Sequence, residues 1–177
     1  MSDHPWGRPL PLSALARGPL RLRLAPDAAT RAALARDLGL ESLPELVAEL
    51  NVRPWLDGAE LKGRIEARVE QLCSVTLEAF EQPLAANFEV RVLPASSPNA
   101  VDDQAEGGGE LTLDPDAPDP PDLLEGEDID LTAYVVEHLA LEIDPFPRKP
   151  GAQFDYVPPT EEVSPFAVLK QLKDKKD

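Results

Sequence analysis

The chain has 177 residues, 42% of them apolar, with one cysteine and a formal net charge of -16 at pH 7. This length suits one domain over residues 1–177 that buries roughly two thirds of the surface its unfolded form exposes, and a lone cysteine excludes an internal disulfide framework and suits a reducing compartment. The apolar run from Leu10 to Ala16 is too short for a signal-peptide core or a membrane span, so a soluble, cytoplasmic protein is expected.

Leu20, Leu22 and Leu24 alternate with Arg21 and Arg23, the period-two pattern of a half-buried strand. A helix over 28–38 follows, with Asp27 as its N-cap and Gly39 as the residue that ends it. The next run, Leu43 to Trp55, fits helix and strand spacing alike, and the Asp57-Gly58 pair decides for a hairpin. The expected strands are about 45–54 and 60–78. In the second, Leu61, Gly63, Ile65, Ala67 and Val69 fall on one face, and Lys62, Arg64, Glu66, Arg68 and Glu70 on the other. If the strand runs on unbroken, Cys73 shares the inward face as a small buried hydrophobe. A third strand follows Pro83, where Phe88, Val90 and Val92 alternate with Glu89 and Arg91, and Pro94 ends it.

No Lys or Arg lies between Arg91 and Arg148, and residues 92–147 carry 15 acidic side chains. Within that block, residues 95–127 are rich in Pro, Gly and Asp and read as a flexible acidic insertion carrying Asp102, Asp103, Glu106, Asp114, Asp116, Asp119 and Asp122. Such a block repels nucleic acid and attracts a basic protein, and the plainer reading is a solvated loop. Its Gly107-Gly108-Gly109 lacks the Lys-Ser/Thr pair of a phosphate cradle.

A helix over 130–143 is expected next. Asp130 caps it, Ile129 and Tyr134 staple its entry, Leu131, Val135 and Leu139 form its apolar stripe, and Pro145 stops it. His138 lies beside the stripe as a surface or boundary residue. Near the end, Ser164 and Pro165 open a short helix over 165–173 with Phe166, Leu169 and Leu172 as an apolar ridge, ahead of a basic and polar tail at 174–177. Two histidines and one cysteine supply neither acid–base machinery nor a set of zinc ligands, so no catalytic residue, cofactor or metal is expected.

The stretches QLCSVTLEAF and PLAANFEVRVLP, then EDIDLTAYVVEHLALEIDPFPRKPGA and SPFAVLKQL, taken in order, resemble the YceD family of bacterial large ribosomal RNA subunit accumulation proteins. The resemblance runs from about residue 60 to the C-terminus, and its most specific elements are Ile129-Asp130-Leu131, Asp144 to Arg148, and Pro165-Phe166-Ala167. It implies a cytoplasmic, non-enzymatic factor needed for normal accumulation of large-subunit ribosomal RNA. Many members have a Cys-x-x-Cys pair where this chain has Cys73-Ser74-Val75-Thr76, so the metal role that relatives suggest is not expected here.

The reading favoured is a factor that binds a basic ribosomal protein or ribosome-assembly factor through its acidic segment. The ridge Phe166, Leu169 and Leu172 supplies an apolar anchor, and Arg148 is a first cation beyond the acids. The alternative is direct binding of precursor ribosomal RNA on a basic sheet face of Arg21, Arg23, Lys62, Arg64, Arg68 and Arg91, a face without the aromatic platforms usual for single strands. A small enzyme using buried carboxylates stands behind both. DNA and membranes are not expected partners. The fold class is α+β: a twisted antiparallel β-sheet, open or barrel-like, with about three helices and the disordered acidic insertion.

Overall fold

The computed structural model describes residues 6–100 and 119–154. In chain order the elements are β1 (Pro9–Pro11), a 3-10 helix (Leu12–Arg17), β2 (Leu20–Leu24), α1 (Ala28–Asp37), β3 (Ser42–Trp55), β4 (Gly58–Leu72), β5 (Ala79–Pro94), β6 (Asp122–Leu124), β7 (Asp128–Asp130) and α2 (Leu131–Glu142). Strands β2 to β6 form one five-stranded sheet in sequence order, and β1 pairs with β7 in a separate two-stranded ribbon. The α+β class holds. The third helical element among the described residues is the 3-10 helix, which the sequence did not announce, and the expected helix at 165–173 lies outside them.

The sheet is open, not barrel-like. Its edges are β2, five residues long, and β6, three residues long, and the helices fill the inner face that closure would otherwise bury. Nor is it wholly antiparallel, because β6 runs parallel to β5 over Val92–Pro94. Parallel neighbours need a crossover connection of a dozen or more residues, and residues 95–121 are that connection. The stretch expected as an insertion therefore has a topological task. Residues 119–127, expected within the insertion, are described and include β6, while residues 101–118 lie outside the described residues.

Strand β4 sets the core. Ala59, Leu61, Gly63, Ile65, Ala67 and Val69 point inward, beside Leu46, Ala48, Leu50 and Val52 of β3 and Ala86, Phe88 and Val92 of β5. Helix α1 supplies Leu34 and Ala35, and α2 supplies Leu131, Val135 and Leu139, the stripe read from spacing. Each fully buried Leu, Ile or Val stabilises the fold by roughly 1.5–3 kcal/mol. Both caps form as read: Asp27 accepts from Thr30 N at 2.8 Å, and Asp130 accepts from Thr132 N and Ala133 N at 3.1 Å. Thr132, fully buried, ties the N-terminal segment to α2, since its hydroxyl takes Arg8 N at 3.1 Å and lies against Trp6 O.

Three boundaries differ from the sequence reading. The β3–β4 loop is Leu56-Asp57, with Leu56 at φ 51° and Gly58 already paired to Trp55. Gly58 is needed for close approach and not for the turn, because a Cβ there would sit 2.0 Å from Val92 O. Asp57 instead accepts from Ser97 Oγ at 2.8 Å and Asn99 Nδ2 at 3.1 Å, fixing the chain as it leaves β5, and the Ser97 hydroxyl holds its carboxyl below the ordinary range. The second boundary is the end of β4 at Leu72, not 78. The third is the start of β5 at Ala79, before Pro83. Pro83 faces Arg68 on one side, and β6 pairs with β5 only from Val92 onward, so the missing proline N–H falls on a free edge.

The aromatic ring of Phe88 lies across Gly63 and stacks on His138 of α2, with centroids 4.2 Å apart and planes at 21°. A Cβ on Gly63 would stand 2.1 Å from that ring. Gly63→Ala should therefore displace Phe88 and loosen α2, lowering stability by about 1–3 kcal/mol in urea unfolding. Gly126→Ala, which meets open space, should change it little.

Candidate interaction surfaces

Strand β6 brings Asp122 beside α2. Tyr134 donates its hydroxyl to Asp122 Oδ2 at 3.1 Å, and burial together with that carboxylate pushes the phenol well above its ordinary range. His138 donates from Nδ1 to Tyr134 O at 2.8 Å, because a carbonyl can only accept. With Glu89, Arg91, Asp119 and Glu137 these residues line a hollow of about 520 Å3. A second hollow of about 900 Å3 adjoins it between β6, β7 and α2, where Glu125, Glu127, Asp128 and the exposed Leu123 lie. The rim is acidic on balance, since Arg91 is the one Lys or Arg among its described lining residues. Asp119 and Asp122 thus come together. Asp102, Asp103, Glu106, Asp114, Asp116, Phe166, Leu169 and Leu172 lie outside the described residues.

Arg148 is elsewhere. It belongs to a strap, residues 144–149, clamped on the loop Cys73 to Glu78 at the β4–β5 hairpin tip, while Asp122 pairs with Val92 near the other end of β5. About 40 Å of extended strand separates the two places. Gln71 Nε2 donates to Asp144 O at 3.0 Å, Ser74 N to Pro147 O at 2.8 Å, and Lys149 Nζ pairs with Glu78 at 2.9 Å. Arg148 is exposed and forms no ion pair with a described residue, whereas Phe146 beside it is 73% exposed.

At the centre of that clamp is Cys73, fully buried as the alternation suggested, though it lies just past the strand. Its Sγ accepts from Thr76 N at 3.5 Å and from Lys149 N at 3.4 Å. The Thr76 hydroxyl, then the backbone N–H groups of Lys149, Thr76 and Val75, draw the thiol down from 9.0 to about 6 against the opposing effect of burial. Spacing alone could not show these donors. The loop also holds Leu77 at φ 58° with its side chain 74% exposed.

The outer sheet face carries the cations. One cross-strand row is Arg21, Asn51, Lys62 and Glu89, and the next is Arg23, Glu49, Arg64 and Asn87. A groove of about 840 Å3 runs between them, floored by the backbone of Leu22, Leu50, Gly63 and Phe88. Lys62 pairs with Glu89 at 2.7 Å and Arg64 with Glu66 at 2.6 Å. Arg68 and Arg91 share that face by register, as expected, but lie outside the groove: Arg68 lies 3.7 Å from Glu81, and Arg91 sits over the Trp55 ring, 3.7 Å from the buried Glu60. Arg53 completes that cluster and holds the Glu60 carboxyl below its usual range. No hydropathy rule would have placed a buried carboxylate there, although its position opposite two arginines was legible once the register was known.

Among the described residues no three His, Cys, Asp or Glu side chains converge on a metal position, and no helix is long and apolar enough to cross a membrane. Fold and surfaces together define a small α+β protein with helices on one sheet face, a charged groove on the other and an acidic rim. A family model described as Large ribosomal RNA subunit accumulation protein YceD matches residues 61–173, well over half of the chain, and the chain belongs to the YceD family. The match takes in β4, β5, the acidic connection, α2 and the strap, and leaves out β1 to β3. Comparisons with curated proteins and with solved structures return no match. The family's description gives a role in accumulation of the large ribosomal RNA and names no catalysed reaction.

The folded thiol of Cys73 ionises below the unfolded one, so its contribution to stability is complete above pH 9 and is lost as pH falls through about 6. Thr76→Val should move thiolate formation to higher pH, followed by ultraviolet absorbance, and narrow that window in pH-dependent unfolding. An unchanged titration would show that the hydroxyl does not hold the sulfur.

Proposed function

We propose that the protein supports large-subunit ribosomal RNA accumulation by holding a basic ribosomal protein or ribosome-assembly factor against its acidic rim. The observation that carries this reading is the pair of adjoining hollows around β6 and α2, lined by Asp119, Asp122, Glu125, Glu127, Asp128 and Glu137. Lys and Arg side chains of a partner are attracted there from a distance, and the potential steers encounter more than it fixes affinity. Asp102, Asp103, Glu106, Asp114 and Asp116 extend the same charge along the β5–β6 connection. The ridge Phe166, Leu169 and Leu172 supplies an apolar contact, and Arg148 offers a cation to a carboxylate of the partner. The work is adhesion and not catalysis, and its setting is the bacterial cytoplasm, where ribosomes are assembled.

The test is capture of total ribosomal proteins by the purified chain at low and moderate salt. Asp122→Asn combined with Glu137→Gln should weaken capture several-fold at low salt and flatten its salt dependence, since two exposed charges are removed and an amide oxygen at position 122 still accepts from Tyr134. Capture that ignores both the variant and the salt would refute the reading.

A further inference from the structure

We propose that the outer sheet face is a second docking surface, for single-stranded RNA, so that the protein holds a phosphodiester strand on its sheet while a basic protein sits on its rim. This goes beyond the acidic-rim reading and does not depend on it. The described helices pack on the opposite face, where the core lies, and among the described residues no element covers the outward side chains of β2 to β5. The groove across that face lies between rows two residues apart, about 7 Å along the strands. That admits one extended strand and is too narrow for a double helix, whose major groove alone is about 12 Å wide. Crossing four strands gives it a length of about 14 Å, room for about three phosphates.

Its charge fits the same ligand. Arg21, Arg23, Lys62 and Arg64 outnumber Glu49 and Glu89 along the walls. Arg21 and Arg23 are exposed and form no ion pair with a described residue. The exposed Lys62–Glu89 and Arg64–Glu66 pairs are each worth at most about 1 kcal/mol, so a phosphate can displace either carboxylate. Asn51 and Asn87 on opposite walls offer donors and acceptors to ribose hydroxyls and base edges. Phe88 turns inward onto His138, so among the described residues the groove presents no ring for base stacking. Binding is therefore tolerant of sequence and sensitive to salt. The groove and the nearer acidic hollow meet at Glu89, and at 0.1 M salt the rim acids more than about 10 Å from the groove are largely screened.

The experiment titrates the full chain with an unstructured oligoribonucleotide, and separately with a lysine-rich peptide, over a series of salt concentrations. Three phosphate contacts give a slope of log affinity against log salt near −2 for the oligoribonucleotide. Arg21→Ser with Arg23→Ser should lower that affinity roughly tenfold at low salt and reduce the slope to about −0.7, with peptide binding unchanged. Both probes should bind one molecule together. The proposal is overturned if the oligoribonucleotide fails to bind at low salt, if the arginine variant binds it as well as the parent, or if polyglutamate competes as effectively as RNA. Loss of peptide binding alone would count against the acidic-rim reading and leave this one standing.

Discussion

The alternation of side chains along β4 is the constraint on which the rest of the molecule depends. This strand pairs with β3 and β5 over nearly its whole length, so its inward residues decide what the helices can cover and its outward residues decide what solvent meets. A slip of one residue would send Lys62, Arg64 and Arg68 into the core and expose Leu61, Ile65 and Val69. The small residue in the series, Gly63, is where the strand joins the helical layer, because only a missing Cβ lets the Phe88 ring cross it and reach His138. Core, helix docking and charged face thus follow from one register.

Charge is sorted by topology. The antiparallel strands carry cations interleaved with carboxylates, many of them paired, so that face is mixed and its grip on a partner is local. The parallel pairing of β6 with β5 brings the end of the acidic connection back against α2, and there acids gather with Arg91 of β5 as the one Lys or Arg among the described lining residues. A chain with an overall charge of -16 consequently presents two surfaces of different character, one on the sheet and one on its rim. Their separation is a product of the crossover and not of composition.

At the far end of the sheet the Cys73 loop and the strap after α2 hold each other. Thr76 stands three residues after Cys73, and its hydroxyl and backbone N–H both serve the sulfur. The loop keeps its shape by hydrogen bonds, with Cys73 N donating to Glu78 O and Leu77 N to Cys73 O. The cost is a leucine in the left-handed region, and the result is a rigid exit that leaves Phe146 in solvent.

Much of the fold was legible in the residues. Period-two runs located β2, β4 and the later part of β5, the Asp57-Gly58 pair decided for β3 as a strand, Asp27 and Asp130 marked the starts of α1 and α2, and the stripe of α2 was read correctly, because these signals are local and each element must hide its own apolar face. The family resemblance was carried by ordered motifs in the same way. What tertiary structure decided is what depends on partners distant in sequence: Pro83 inside a strand, tolerated on a free edge; the ribbon of β1 with β7; a carboxylate buried between Arg53 and Arg91; and a thiol polarised by Lys149, 76 residues away. The acidic rim belongs to both. Its charge is written in the sequence, while its position beside α2 required the parallel pairing of β6, a contact that no periodicity records.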